Sequence, residues 1–122
     1  MRVTCTWMLC LGVVAVLLPS VAWAAGDAAK GKQKYQQLCG ACHGQSGKGD
    51  GPTAAALPVK PRDHTDASYM GKLTDKQIFD TIKLGGDAMG KSPIMPKWGG
   101  ILTDQQIQDV VVYIRSLSGS SK

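Results

Sequence analysis

In residues 39–43, Cys-Gly-Ala-Cys-His, two thiols and an imidazole take up three of five consecutive positions. Thiols at this spacing serve a redox disulfide, half of a zinc site, or alkylation by a group supplied from outside. Each use demands a different surrounding fold, so these five residues constrain the chain more than its composition does. The choice depends on the compartment and on what the neighbouring segments can form.

Residues 1–24 read MRVTCTWMLCLGVVAVLLPSVAWA. Arg2 supplies a short positive start, Trp7 to Leu18 an apolar run, Pro19-Ser20 a break, and Ala22-Trp23-Ala24 an A-x-A cleavage site. The pattern predicts a secretory signal peptide cut after Ala24 and a periplasmic product. The apolar run falls short of the roughly 20 residues a membrane-spanning helix needs, so the cleaved chain is not expected to span a membrane. Cys10 lacks the small preceding residue of a lipidation site. Cys5 and Cys10 then leave with the leader, and residues 25–122 form one small domain whose cysteines are Cys39 and Cys42.

Cleavage removes only Arg2 from the charges, lowering the net +5 of the whole chain by one. The acidic residues are all Asp, and the lysines are spread from Lys30 to Lys122. This is a solvated surface, not the clustered basic footprint of a nucleic-acid binder. Aromatic mass is small: Tyr35, Tyr69, Phe79, Trp98 and Tyr113. A domain of this size has difficulty building a core from so little, which points to a cofactor in the middle.

Helical signals dominate. Asp27 to Leu38 has Asp27 at a capping position and Gly31, Tyr35 and Leu38 on one face. Thr74 with Gln77 and Thr103 with Gln106 form capping boxes that open two further helices, with Asp75 and Asp104 in the first turns. Gly85 and Gly119 end them, as left-handed C-terminal caps would. Ile107, Val110, Val111, Ile114 and Leu117 make an apolar stripe on the last helix. Residues 44–68 read as a long Gly- and Pro-punctuated loop with one helical turn near 52–57, and residues 85–100 as a second loop. The expected fold is all-α, with three principal helices and long loops.

A thioredoxin-like pair needs to begin a helix after a strand, and here it follows a helix with no strand pattern. A structural zinc site needs four ligands, for which only His43 and the distant His64 could join the thiols. A disulfide would close a very short, strained loop. C-x-x-C-H as the attachment signature of c-type haem accounts for all three residues: each thiol forms a thioether with a haem vinyl group, and His43 lies under the iron as proximal ligand. Thioethers also take both cysteines out of disulfide chemistry in an oxidising compartment.

With Cys39-Gly40-Ala41-Cys42-His43-Gly44 after the first helix, Met95-Pro96-Lys97-Trp98, and the closing ILTDQQIQDVVVYIRSL, the chain resembles the class I c-type cytochromes over roughly residues 27–118. The resemblance implies a cytochrome c fold around one covalent haem c. It implies Met95 as distal iron ligand, with Met70 and Met89 as alternatives, and Trp98 as a cofactor contact. It implies that Pro61, or else Pro52 or Pro58, offers its carbonyl to the His43 imidazole, and that the first and last helices cross at Gly31 and Tyr35 against Tyr113 and Leu117. Leu57, Ile82, Ile94, Trp98, Ile101 and Val111 are expected to pack on the haem. A six-coordinate His/Met iron implies one-electron transfer rather than an enzyme, as a soluble carrier or as the haem subunit of a larger oxidoreductase. The implied partners are redox proteins and the haem-attachment machinery, with Lys48, Lys72, Lys91 and Lys97 as candidates for a docking rim. The alternatives are a haem enzyme or gas-binding protein with an open or displaceable distal position, and a bis-histidine iron using His64.

Overall fold

The computed structural model describes residues 25–120; the leader predicted over residues 1–24 lies outside them. Five α-helices are present among the described residues, with no strand: α1 Ala28–Leu38, α2 Gly40–His43, α3 Ala67–Met70, α4 Asp75–Leu84 and α5 Asp104–Ser118. The three long ones are those expected from the sequence. α1 begins where the Asp27 carboxylate accepts the backbone N–H groups of Ala29 and Lys30. α4 and α5 open on complete capping boxes, Thr74 with Gln77 and Thr103 with Gln106, which satisfy donors that the first turn leaves without helical partners. Gly119 ends α5 in the left-handed region, φ 64° and ψ 12°. Gly85, expected to do the same for α4, has φ 87° but an extended ψ of 168°. Its N–H still closes the last turn on the Thr81 carbonyl, but the extended ψ then turns the chain away from the helix.

The frame of the molecule is the crossing of α1 with α5. A Cβ on Gly31 would collide with the backbone of Asp109 and Val110, so only glycine lets the two helices approach this closely. One turn on, Tyr35 meets Tyr113 edge to face, with ring centroids 5.2 Å apart. The Asp109 carboxylate accepts the Asp27 N–H at 2.8 Å and ties the start of α1 to α5. Tyr35, Ile107, Val110 and Val111 are completely buried, and α4 adds Ile78, Phe79 and Ile82 to the same core.

Two features were not expected. The short α3, capped by Asp66, interrupts what reads as the end of the first loop. Arg115, in the last turn of α5, is only 7% exposed. Its guanidinium donates to the Met70 and Leu73 carbonyls and to Asp75, binding α5 to the corner between α3 and α4.

Candidate cofactor site

The five-residue motif sits at a break between α1 and α2. The Cys39 N–H still bonds to the Tyr35 carbonyl at 2.8 Å, closing the last turn of α1, while the His43 N–H bonds to the Cys39 carbonyl at 2.9 Å and winds the motif into its own turn. Both thiols are free, and Cys42 Sγ lies 3.3 Å from the Thr53 hydroxyl. The first loop then wraps back under the motif. Gly44, Gly47 and Gly49 take positive φ values, and the Gly49 and Gly51 N–H groups bond to the His43 and Cys42 carbonyls. A Cβ on Gly49 would strike the Pro61 carbonyl, so this glycine lets residues 61–64 pack beneath His43.

That packing fixes the imidazole. His43 Nδ1 lies 3.0 Å from the Arg62 carbonyl. A carbonyl only accepts, so Nδ1 carries the proton and Nε2 keeps its lone pair for a metal. Burial pushes the His43 pKa below its ordinary value, with the Arg62 hydrogen bond opposing it in part. The ring is thereby held neutral, as a ligand must be. Burial, reinforced by neighbouring Cys42, pushes the Cys39 thiol up to about 12, so the folded chain holds it protonated.

The second loop is built onto the end of α4. The Trp98 and Gly99 N–H groups take the Ile82 and Lys83 carbonyls, which the helix leaves free at its C-terminus. The Gly86 N–H bonds to the Met95 carbonyl at 3.0 Å, and the Met95 N–H to the Ser92 carbonyl at 3.1 Å. A Cβ on Gly86 would meet the Ser92 carbonyl and the Met95 side chain, so that glycine permits the close fold-back presenting Met95.

These segments enclose a cavity of about 440 Å³, bordered by Cys39, Cys42, His43, Pro61 and Met95 and walled by apolar side chains including Leu57, Met70, Ile78, Ile82, Ile94 and Ile114. The volume falls in the roughly 300–1,000 Å³ range of small-molecule and cofactor sites. Lys60, Arg62 and Lys91 put positive charge on its border. Two free thiols, a neutral imidazole with one nitrogen available and a thioether around an apolar space suit a flat apolar cofactor carrying acidic groups and a soft-to-borderline metal. Among the described residues, no group of three or more His, Cys, Asp and Glu side chains could hold a metal ion by itself, which leaves the zinc alternative without ligands.

Five of the six site residues expected from the sequence therefore border one cavity. Pro61 is among them, but the carbonyl facing His43 belongs to the next residue, Arg62. Pro61 directs its own carbonyl toward Gly49. Trp98 is not on the cavity wall; it packs against the core beside the helices. Of the further haem contacts expected, Leu57, Ile82 and Ile94 line the cavity, Val111 is buried inside the helical core, and Ile101 is 68% exposed. Of the four docking lysines, Lys91 borders the cavity.

Residues the sequence reading did not place there include Tyr35, Tyr69, Thr81 and Ile114, and His64, offered from the sequence only as an alternative iron ligand, also lines the cavity. The Tyr35 hydroxyl lies 2.8 Å from His64 Nδ1, and the His64 ring stacks on His43 with centroids 4.3 Å apart and planes 17° apart. Burial and neighbouring His43 push the His64 pKa down to about 3. The signal available in the sequence was its position two residues beyond Arg62, inside the segment that packs under the motif.

Helices wrapped around a C-x-x-C-H motif and an apolar cavity define the class of small haem-binding electron carriers. Residues 28–118 match the family described as Cytochrome c, and the chain belongs to that family as a class I monohaem c-type cytochrome. Its cofactor is one covalently bound haem c, and its function is electron transfer. A similar curated protein is the "Cbb3-type cytochrome c oxidase subunit FixP" of Bradyrhizobium diazoefficiens, 32% identical over 93 residues, which cover 76% of this chain and 28% of the relative. The chain thus spans less than a third of that relative's length. Among solved structures, "KustC0563 c-type cytochrome" superposes with a TM-score of 0.56 at 25% identity, covering 75% of this chain and 98% of the other. The Kuenenia stuttgartiensis reducing HAO-like protein complex gives a TM-score of 0.60 at 27% identity, covering 76% of this chain and 43% of that one.

Proposed function

We propose that this chain is a periplasmic one-electron carrier, or the haem subunit of a larger oxidoreductase, in which Cys39 and Cys42 form the thioethers and His43 and Met95 are the axial iron ligands. The observation that carries the reading is that both thiols, His43 and Met95 border a single apolar cavity. When bound, the haem iron supplies a centre that gains and loses one electron. The chain's part is to hold that centre. Arg62 orients His43, the Gly85-Gly86 fold-back presents Met95, and the apolar wall excludes water. Held by His43 and Met95, the iron would have no position open to a substrate, and the chain would then serve as a carrier. Soft methionine sulfur favours the reduced iron and raises the potential relative to a second imidazole.

His64 does not suit the role of second ligand. Two imidazoles sharing one iron aim their nitrogens at each other across it, whereas His64 lies face to face on His43 with its Nδ1 engaged by Tyr35. In this reading residues 1–24 direct export and are removed, residues 25–122 are the haem domain, and attachment machinery joins the haem before the fold closes around Cys39. Among the described residues no helix is long and apolar enough to cross a membrane. The names of the similar proteins, an oxidase subunit and a component of a reducing HAO-like protein complex, support a redox protein partner.

The optical spectrum of the ferric holoprotein tests the ligand pair. A low-spin spectrum with the weak far-red band of iron–methionine ligation is expected, and Met95→Ala should turn it high-spin and let cyanide or CO bind rapidly while the haem stays covalent. A low-spin, ligand-resistant Met95→Ala protein would remove Met95 from the iron and reopen Met70, which also lines the cavity. A high-spin wild type that binds CO would favour a gas-binding or enzymatic role.

A further inference from the structure

The arrangement beneath His43 contains more than the family's ligand set requires. A single hydrogen bond from Nδ1 to the Arg62 carbonyl places that nitrogen but leaves the imidazole plane free to swing about the line joining its two nitrogens. The face of the ring is where that freedom can be removed, and there His64 is stacked at 4.3 Å and 17°. His64 is itself held at two points: its backbone N–H bonds to the Gly47 carbonyl at 2.7 Å, and its Nδ1 meets the Tyr35 hydroxyl at 2.8 Å. Tyr35 is completely buried, with its ring edge-on to Tyr113 at the crossing of α1 and α5. A chain of contacts therefore runs from the buried crossing of α1 and α5 to the face of the His43 imidazole.

We propose that Tyr35 and His64 are positioning residues for His43: the Tyr35 hydroxyl pins His64, and the stacked His64 ring sets the plane of the proximal imidazole. This rests on His43 being the proximal ligand. Partners behind a metal-bound histidine orient the ring and tune the metal. The imidazole plane determines how the iron's unpaired electron is distributed, and so the g-values of the ferric protein and the pattern of its haem-methyl proton shifts. A histidine that merely satisfied its own hydrogen bond in the interior would affect stability and leave those signals alone.

The test compares ferric holoprotein of the wild type, His64→Ala and Tyr35→Phe by electron paramagnetic resonance and proton NMR. Both variants are expected to move the g-values and reorder the haem-methyl shifts, His64→Ala more than Tyr35→Phe, while the far-red iron–methionine band persists. Tyr35→Phe removes one oxygen and keeps the ring at the helix crossing, so it decides the matter even if His64→Ala does not accumulate. Wild-type g-values and methyl shifts in Tyr35→Phe overturn the proposal. A low-spin wild type with insensitive variants sinks the positioning role alone, whereas a wild type that lacks low-spin histidine–methionine signals sinks the ligand reading beneath it.

Discussion

Replacing Arg115 by Met should loosen the corner that forms one wall of the cavity. The guanidinium donates through Nε to Asp75 Oδ1 at 2.7 Å, through Nη1 to the Met70 carbonyl at 2.7 Å and through Nη2 to the Leu73 carbonyl at 2.6 Å. Met70 and Leu73 both line the cavity. Methionine retains much of the apolar stem but leaves both carbonyls without their charged donor, at about 1.5–3 kcal/mol each. The Asp75 side chain is 47% exposed, so the ion pair adds less than about 1 kcal/mol. Relief from holding a guanidinium out of water offsets part of the loss. The expected net cost is about 3 kcal/mol for Arg115→Met and under about 1 kcal/mol for Asp75→Asn. Guanidinium chloride unfolding of the holoprotein, followed by far-ultraviolet circular dichroism, measures both from the midpoint shift at constant slope. An Arg115→Met protein within about 1 kcal/mol of wild type would refute the reasoning. Equal costs for the two variants would also refute it, because the ion pair and not the carbonyls would then be holding the corner.

Gly31→Ala places a methyl against the backbone of Asp109 and Val110, where no rotamer can relieve it; a loss of about 2–3 kcal/mol is expected, in the range for overpacking, and unchanged stability would contradict the close helix crossing. Acid stability should fall in two stages. Burial depresses the folded pKa of His64 from 6.5 to about 3, so the unfolded chain binds the extra proton and stability is lost as pH falls from about 6.5 toward 3. Asp27 and Asp66, lowered below 3.8 chiefly by the backbone and side-chain hydrogen bonds they accept as helix caps, contribute stability above pH 3.8 that is lost below it. Thermal melts from pH 7 to 2.5 should show both stages, and His64→Phe should flatten only the first; a midpoint that rises on acidification would reverse the sign.

What the sequence made legible was local chemistry. Capping boxes at Thr74 and Thr103 act through bonds three residues apart, and the C-x-x-C-H motif is read from five neighbours, so neither depends on distant parts of the chain. The Gly31 crossing was anticipated only through the family resemblance, because which helix packs on that glycine is set by distant parts of the chain. Features set by the path of the loops were not. Whether the Pro61 or the Arg62 carbonyl faces His43 depends on how Gly47 and Gly49 turn the first loop, a one-residue difference that no spacing rule encodes. Trp98 looked like a cofactor contact because it follows Met95, but its N–H is drawn to the end of α4 and its ring to the core. Arg115 resembled an ordinary charge in a last helical turn. Its place beside Ile114, four residues after Val111 on the buried stripe, was the sign that it points inward.

The intact mass of the exported protein bears most directly on a haem fixed to this chain through Cys39 and Cys42. A single species equal to residues 25–122 plus one haem is the predicted result, with the pigment staying on the polypeptide through acid–acetone extraction. Bare polypeptide mass, or colour that passes into the acetone, would contradict it.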